Sequence, residues 1–353
     1  MRYFIFTLGC QMNFADSQRI ATILESLGYK SASEYEADLI IINACSVRQK
    51  AVDRIWGGIK KWQKSQKKII ITGCVLPADK VKFAQKRIYF FNIRNLSNLK
   101  NILNKPSNIL QNIGVSSKNY FNILPKQDGI KIVYVPIMTG CDNFCSYCAV
   151  PLTRGREKSR PVKDVISDVN SALKNEFKEI LLLGQNVNSY KFDFSRLLKN
   201  IDNLPGEFKF NFISSNPHDM SDKLIKTFAQ LKKWPHELHL PLQSGDDKIL
   251  KKMNRKYNSK QYLALISKLK SQISKLRLTT DIIVGFPGET KEQFNNTVKL
   301  CQKIKFKKAY ISQYSPRPGT HAAKLDDNIP ALEKKRRWVT LDELINHNHT
   351  QNS

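Results

Sequence analysis

Three cysteines within a single short loop limit the possible folds and functions of this chain more than any other feature. Cys141, Cys145 and Cys148 follow a C-x3-C-x2-C spacing, which offers three thiolates from one segment. Three thiolates can fix three corners of an iron–sulfur cube, a cluster that four cysteines normally hold. No fourth cysteine follows nearby, so one iron is left open, and an open coordination position usually marks chemistry. A zinc knuckle or three unrelated core thiols are the alternatives, although zinc normally takes paired cysteines and two further ligands.

The amino-terminal part of the chain alternates between short apolar runs and helix-like stretches. The runs are rich in β-forming residues, which predicts strands at residues 3–6, 39–42 and 69–71. The stretches between them predict helices near residues 17–27 and 47–62. This alternation is typical of a small doubly wound parallel sheet of the Rossmann or flavodoxin-like type.

Three further cysteines follow these predicted strands. Cys10, Cys45 and Cys74 each come shortly after the carboxyl end of one strand. Parallel sheets bring such loops together on one edge, where ligands usually bind. Taken singly, each cysteine is more often a small buried hydrophobic residue. Their shared position on three strands instead predicts a second cluster site.

A second alternation follows a polar segment at residues 101–128, which we interpret as a surface connection. Helices are predicted at residues 162–174 and 259–272, and strands at residues 132–137, 179–183, 209–213, 237–240, 278–284 and 309–313. Six βα repeats predict an open, partial (β/α)6 barrel of the TIM type. Loops at the carboxyl ends of barrel strands carry the chemistry in such folds, and the cysteine triplet follows the first strand.

Charge and cysteine content limit the partners and the compartment. The net charge is +28, from 58 basic and 30 acidic residues, which favours phosphate polyanions as partners. A Lys- and Asn-rich composition unrelated to binding is the alternative explanation. No apolar stretch approaches the roughly 20 residues of a membrane span, so we expect no membrane partner. Seven cysteines without a secretion signal indicate a reducing, cytoplasmic location.

The cysteine triplet, with the aromatic Tyr147 before its last member, resembles the radical S-adenosylmethionine (SAM) enzymes. Other segments narrow this resemblance to the methylthiotransferases within that superfamily. They are residues 9–13, 43–48, 72–74, 154–157, 159–161, 183–190, 239–245, 281–290 and 314–320. The resemblance implies a methylthiotransferase domain at residues 1–115 and a radical SAM core at residues 127–353. After Thr320 we predict one basic helix that contains the run at residues 334–337.

The resemblance also implies two [4Fe–4S] clusters and SAM as cofactors. One cluster would lie on Cys141, Cys145 and Cys148, and its open iron would bind SAM, whose one-electron cleavage yields a 5′-deoxyadenosyl radical. The other, on Cys10, Cys45 and Cys74, would carry the sulfur. An electron donor such as flavodoxin or ferredoxin is implied, and we expect a monomer.

Loops of the second alternation supply the expected SAM contacts. By resemblance, Gly184 and Gln185 would hold the methionine amino group, Gln243 and Ser244 would reach the ribose, and Val284 and Gly285 would flank the adenine. Tight-turn and packing roles compete with each of these assignments, because a glycine shortly before a proline is first of all a turn signal.

The segment at residues 184–190 resembles the branch that acts on isopentenyladenosine at position 37 of tRNA. Alternative substrates are threonylcarbamoyladenosine in tRNA or an aspartate of a ribosomal protein, and a remote alternative is a metal-stabilised RNA-binding protein without activity. RNA readers act on unstacked loop bases. Arg154, Arg156 and Arg160 are expected phosphate contacts, with structural salt bridges as the alternative.

Two departures from the family pattern stand out. Family members normally continue into a small β-barrel, called TRAM, that helps to bind tRNA, and this sequence ends before one. Either the sequence is truncated, or the surplus of lysine and arginine takes over that part of tRNA binding. Asn216 stands where relatives usually carry histidine.

Overall fold

The structure is a computed structural model that describes residues 1–47, 49–86, 88–104, 120, 121, 123, 125, 126 and 131–347. The chain divides into two units. The first comprises Met1–Pro136, Ala149–Gly155 and Arg317–Gly319, and the second comprises Ile137–Cys148, Arg156–Pro316 and Thr320–Ser353. The predicted domain limits at 115 and 127, most of the connection between them, and Arg48 lie outside the described residues.

The first unit is built on a parallel sheet. The strands of this unit are β1 (Arg2–Thr7), β2 (Lys30–Ser31), β3 (Leu39–Cys45), β4 (Lys68–Cys74), β5 (Tyr89–Phe90) and β6 (Ile132–Pro136), of which the first five form the sheet. Its helices are α1 (Gln11–Ser26), α2 (Gln49–Lys64), α3 (Pro77–Gln85), α4 (Leu99–Leu103) and α5 (Val150–Thr153), with a 3-10 turn at Ile93–Asn98. The sheet order is β2-β1-β3-β4-β5, with every neighbouring pair parallel.

The central strands of this sheet are buried on both faces. Every residue of β3 is buried, as expected for a parallel strand covered by helices on each side. Ile41 packs with α1 in one apolar cluster, whereas Ile40 and Ile42 pack with α2 in another. The strand order is that of the flavodoxin-like doubly wound fold, whose ligand crevice opens where β1 and β3 diverge. The predicted fold of this part of the chain is confirmed.

The second unit contains a longer series of strands and helices. Its strands are β7 (Met138–Thr139), β8 (Lys158–Ser159), β9 (Glu179–Leu183), β10 (Lys209–Phe212), β11 (Glu237–His239), β12 (Arg277–Val284) and β13 (Lys308–Gln313). Its helices are α6 (Val162–Lys174), α7 (Phe194–Asp202), α8 (Asp222–Gln230), α9 (Asp247–Lys252), α10 (Ser259–Gln272), α11 (Lys291–Ile304) and α12 (Ala331–Asp342), the last followed by a π-helical turn at Glu343–His347. Short 3-10 turns lie at Val187–Ser189, Pro217–Asp219 and Ala322–Lys324.

The pairing of these strands is that of a partial barrel. Strands β9 and β10 are parallel, and β11, β12 and β13 form a second parallel set. The short strands β7 and β8 pair antiparallel and bracket the loop that carries the cysteine triplet. Helices follow the strands in sequence, so the predicted α/β architecture is confirmed. Among the described residues, no helix has both the length and the apolar character that a membrane crossing requires.

Helix α12 was predicted as a basic helix, yet two of its cations are used inside the fold. Arg337 is buried and its Nη1 lies 2.7 Å from Oε2 of the buried Glu289. The Nζ of Lys334 lies 2.6 Å from Oδ1 of Asp327. A Cβ at Gly285 would approach Cγ of Lys334 to 2.4 Å, so only glycine fits under this stem. The helix is therefore anchored to the loop after β12.

Candidate functional site

Cys10, Cys45 and Cys74, called here the strand-end site, meet at the carboxyl edge of the first sheet. Cys45 and Cys74 are the last residues of β3 and β4 and stand directly opposite each other in register. The strands thus extend to the cysteines themselves, beyond the predicted ends. Cys10 is the N-cap of α1, and a Cβ on the preceding Gly9 would lie 2.9 Å from Cβ of Cys45. Cys10 is exposed, whereas the other two thiols are buried.

Two buried carboxamides tie the Cys10 loop to β3. The Nδ2 of Asn13 donates to Oδ1 of Asn43 at 3.1 Å and to the carbonyl oxygen of Ala44 at 2.9 Å. In return, Nδ2 of Asn43 donates to the backbone oxygen of Asn13 at 2.6 Å. The Sγ of Cys10 lies 3.5 Å from Oδ1 of Asn13. This reciprocal pair holds two cysteine-bearing segments in one arrangement.

Arg154 provides a positive charge beside the innermost thiol of the strand-end site. Its Nε donates to Sγ of Cys74 at 3.1 Å, and its Nη2 lies 2.7 Å from Oδ2 of Asp16. Burial raises the pKa of the Cys74 thiol, and the guanidinium opposes that rise. Burial by itself would lower the pKa of Arg154, but Asp16 and Cys74 raise it well above its usual range. The arginine therefore stays charged and favours a thiolate at Cys74.

Cys141, Cys145 and Cys148, called here the triplet site, lie on the loop between β7 and β8. Backbone contacts pin this loop, because Ser146 donates from its N–H to the Met253 carbonyl at 3.1 Å. The amide of Asn254 donates to the Phe144 carbonyl at 3.0 Å, and Phe144 itself has a φ of +48°. A left-handed conformation at a bulky residue is strained and persists only where the surroundings enforce it.

A second arginine lies beside the triplet site. Arg255 donates from Nη1 to Sγ of Cys145 at 3.1 Å and from Nη2 to Oδ1 of Asn216 at 3.2 Å. Its Nε donates to the hydroxyl of Tyr257 at 3.1 Å. Burial would lower the pKa of Arg255, but neighbouring tyrosines and Cys145 raise it well above its usual range. Burial also raises the pKa of the Cys141 thiol.

The predicted SAM contacts after β9 support the triplet loop. The Oε1 of Gln185 accepts a bond of 2.6 Å from the N–H of Gly140, the residue before Cys141. Gly184 lies against Met138, where an added Cβ would approach Cγ to 2.6 Å. Gln185 thus fixes the entry to the cysteine loop, and its role in SAM binding stays a prediction.

The predicted contacts after β11 and β12 fall into two groups. Gln243 is buried with a φ of +68°, and its Oε1 has no hydrogen-bond partner among the described residues. Ser244 is fully buried and its Oγ lies 3.4 Å from Oγ1 of Thr297, a contact inside the protein. Val284 is buried, and Gly285 donates from its N–H to Oε2 of Glu289 at 2.7 Å. Gln243 therefore has the strongest structural indication of ligand binding.

The polar atoms at the carboxyl ends of the barrel strands fit a bound ligand. Within the described residues, Oε1 of Gln243, Oδ1 of Asn186 and Oγ of Ser215 are buried without hydrogen-bond partners. These atoms follow β11, β9 and β10. Buried polar groups are nearly always satisfied, so such exceptions require an explanation, and a ligand with several polar groups supplies one.

The donor chemistry of both thiol sites fits an iron–sulfur cluster. Cys thiolates are the usual ligands of such clusters, and each site brings three of them to one place. With one arginine beside each thiol set, three thiolates at each site suit an anionic iron–sulfur cluster.

The three arginines expected to contact RNA have different environments. The side chain of Arg156 is 73% exposed and its Nε lies 2.7 Å from Oδ1 of Asp142. Arg160 is 3% exposed, with Nη1 2.7 Å from Oδ2 of Asp168, and Arg154 is 4% exposed against Asp16. Arg154 and Arg160 thus form structural salt bridges, which was the alternative to phosphate contact.

Several residues of the two sites were not predicted individually. Asn13 and Asn43 lie in segments that carried the family resemblance, but nothing in the sequence indicates that they pair. Arg255 has no local signal at all, because it contacts a cysteine 110 positions away. The same holds for Asp16, which meets Arg154 across 138 positions. Only the folded chain reveals such partners.

Comparison with known proteins agrees with both halves of the fold. The Radical SAM superfamily model matches residues 135–301, and the model described as Uncharacterized protein family UPF0004 matches residues 2–91. The chain is 41% identical, over 98% of its length, to tRNA-2-methylthio-N(6)-dimethylallyladenosine synthase of Thermoanaerobacter sp. (strain X514), of which it covers 78%. It is 40% identical, also over 98% of its length, to the enzyme of the same name from Carboxydothermus hydrogenoformans, of which it covers 83%.

Solved structures of low sequence identity share the fold. The radical SAM methyltransferase TsrM from Kitasatospora setae aligns with a TM-score of 0.64 at 11% identity, over 91% of this chain and 73% of that one. The cobalamin-dependent radical SAM enzyme OxsB aligns with a TM-score of 0.61 at 11% identity, over 99% of this chain and 55% of that one.

Fold and triplet site together define a radical SAM enzyme. Within that class, the chain belongs to the family of radical SAM methylthiotransferases that includes the two synthases above. Its cofactors are SAM and [4Fe–4S] clusters.

Proposed function

We propose that this chain adds a methylthio group to C2 of N6-isopentenyladenosine at position 37 of tRNA. The strand-end site carries this proposal, because a radical SAM domain needs only the triplet site to generate its radical. A second set of three cysteines, gathered from separate segments of another sheet, requires a second role. The relatives named above carry that product in their names.

The triplet site would hold the cluster that binds SAM. When bound there, the cluster and SAM supply a 5′-deoxyadenosyl radical. A radical is needed because the hydrogen at adenine C2 is too weakly acidic for a side-chain base near neutral pH. Arg255 would offset the negative charge at Cys145, and the unpaired amide oxygen of Gln243 would orient SAM.

The strand-end site would hold the cluster that carries the sulfur. Cys45 and Cys74 are buried, whereas Cys10 is exposed, so one side of this site is open to an incoming molecule. The Asn13–Asn43 pair would keep the three thiols at the spacing of one cluster. Buried ligands retain the cluster, and the exposed side gives access to its sulfur.

Binding of tRNA would rest on the surplus of positive charge. The net charge of +28 predicts an affinity that falls as salt rises. Of the three arginines first expected to contact RNA, the exposed Arg156 is the one we propose as a phosphate contact. We propose that the enzyme is a monomer and that a flavodoxin or ferredoxin supplies its electrons. A tRNA substrate and seven free thiols support a cytoplasmic location.

Nucleoside analysis of tRNA tests this proposal. Cells lacking their own methylthiotransferase would be complemented with this chain, and digested tRNA examined by mass spectrometry. We expect the wild-type chain to restore the 2-methylthio-isopentenyl nucleoside. Cys45→Ala and Cys148→Ala should leave isopentenyladenosine unmodified. Cys301→Ala is the matched control, because that thiol is buried on α11 and belongs to neither set of three cysteines.

The two sites can also be separated in vitro. Cys10→Ala should retain cleavage of SAM to 5′-deoxyadenosine and lose sulfur insertion, whereas Cys148→Ala should lose both. Loss of SAM cleavage in Cys10→Ala would contradict this division of labour. Methylthiolation of threonylcarbamoyladenosine or of a ribosomal protein, with isopentenyladenosine untouched, would contradict the proposed substrate.

A further inference from the structure

Arg154 contacts Cys74 in a way that an ordinary buried ion pair does not require. Its Nε–H points to Sγ of Cys74 at 3.1 Å, while its Nη2 points to Oδ2 of Asp16 at 2.7 Å. The Nε and Nη2 donors of this planar guanidinium are thus committed to two different partners. The group therefore has a fixed orientation, held by the thiol at Nε and by the carboxylate at Nη2.

The carboxylate is itself held in place. Asp16 is fully buried on α1, and its Oδ1 accepts a hydrogen bond from the buried hydroxyl of Tyr120. The guanidinium carbon of Arg19 lies 5.4 Å from the centre of the Tyr120 ring. Tyr120, Asp16, Arg154 and Cys74 thus form a continuous buried chain of contacts. Tyr120 lies 46 positions after Cys74 in the sequence, so this chain of contacts exists only in the folded protein.

A buried network of this kind needs a charge balance. Two buried arginines contact this chain, Arg154 at Asp16 and Arg19 over the Tyr120 ring, whereas Asp16 is the one carboxylate among these residues. Burial of an uncompensated charge is costly, so an additional negative charge stabilises this arrangement. A thiolate at Cys74, bound to an iron–sulfur cluster, supplies that charge at the position that Nε of Arg154 already faces.

We propose that Arg154 is a positioning residue for the cluster of the strand-end site, oriented by Asp16 and Tyr120. Its hydrogen bond holds the Cys74 sulfur in place and raises the reduction potential of that cluster. A positive donor at a ligating sulfur stabilises the reduced, more negative state, and hydrogen bonds to sulfur are among the factors that set such potentials. The inference rests on the proposed function, since it assumes a cluster on Cys10, Cys45 and Cys74.

A redox titration followed by electron paramagnetic resonance tests the inference. Cys141, Cys145 and Cys148 would be replaced by alanine in the full-length chain, so that only the strand-end cluster remains. Into this background we would introduce Arg154→Lys, which keeps the charge but not the two donors in fixed geometry. The double substitution Asp16→Asn with Arg154→Met removes both charges of this ion pair and avoids an unpaired carboxylate.

We expect the midpoint potential to fall in both variants, and to fall further in the double variant. Arg54→Met is the control, because Arg54 lies exposed on α2 of the same unit, against the Phe6 ring and without a thiol contact. It should leave the potential unchanged. Loss of iron from an Arg154 variant that still melts cooperatively also supports the inference, because Arg154 then helps to retain the cluster.

Full iron content with an unchanged potential in both Arg154 variants would overturn the inference and reduce Arg154 to a structural ion pair. That result is distinct from failure of the proposed function. If Cys74→Ala, in the same background, bound as much iron as its parent, the ligand assignment itself would be wrong.

Discussion

Replacement of Asn13 by alanine is a demanding test of how the strand-end site is assembled. Asn13 is fully buried in the first turn of α1, three residues after Cys10. Its side chain reaches across to β3, where it donates to Asn43 and to the Ala44 carbonyl. Truncation removes both donors from an edge that carries all three cysteines of the site.

The size of the effect follows from the contacts. Two buried acceptors each lose a donor, and an acceptor left unsatisfied costs about 1–3 kcal/mol. The expected loss is about 2–4 kcal/mol, because one carbonyl can retain its bond within the sheet. For a unit of this size, 1 kcal/mol corresponds to roughly 2–4 °C, so the first unit should melt about 5–15 °C lower.

Differential scanning calorimetry and iron analysis would measure the two consequences. The Asn13→Ala variant should unfold earlier in its first unit and lose iron from the strand-end site, while the triplet site keeps its own. Gln11→Ala is the matched control, because Gln11 is exposed in the same helical turn. Wild-type melting and full iron content in Asn13→Ala would refute the role assigned to the carboxamide pair.

Three further predictions concern the second unit. Arg337→Met should cost about 3–5 kcal/mol in the free energy of unfolding, because it leaves Glu289 buried without its ion-pair partner; an unchanged chemical denaturation midpoint would contradict this. The Arg336 guanidinium, followed by that of Arg337, lowers the pKa of Glu333 to about 2 from an ordinary value of 4.5. The ionised Glu333 therefore stabilises the folded chain above about pH 4.5, and this contribution disappears as the pH falls toward 2. Glu333→Gln should therefore lower the melting temperature at neutral pH and have little effect at pH 2, whereas an equal effect at both would exclude this linkage. Gln243→Asn keeps an amide on a left-handed backbone but shortens its reach, so the Kd for SAM measured by calorimetry should rise roughly tenfold, about 1.4 kcal/mol, at unchanged iron content.

Most of the fold could be predicted from sequence because its periodicity is strong. The predicted helices at residues 162–174 and 259–272 coincide with α6 and α10. Helix α1 is longer than predicted, since it begins at Gln11 directly after a cysteine N-cap that makes no side-chain capping bond. Without a capping residue, the sequence has no local signal for that start.

The environments of charged residues were harder to predict. Arg154 and Arg160 are basic residues near the cysteine triplet, which is compatible with phosphate contact and with ion pairing alike. Their burial depends on Asp16 and Asp168, and the first of these lies far away in sequence. The basic run in α12 shows the same limit, because Lys334 and Arg337 are buried and paired with carboxylates. Composition gives the number of charged side chains, but tertiary contacts determine which of them face solvent.

Iron quantification on two triple variants tests the central claim most directly. After anaerobic reconstitution the wild-type chain should bind roughly eight irons, as two four-iron clusters. Replacement of Cys10, Cys45 and Cys74 by alanine should leave roughly four, and so should replacement of Cys141, Cys145 and Cys148. Each variant should show the spectrum of a single cluster. Roughly four irons in the wild-type chain, with no loss in the Cys10, Cys45 and Cys74 variant, would contradict the existence of a second cluster site.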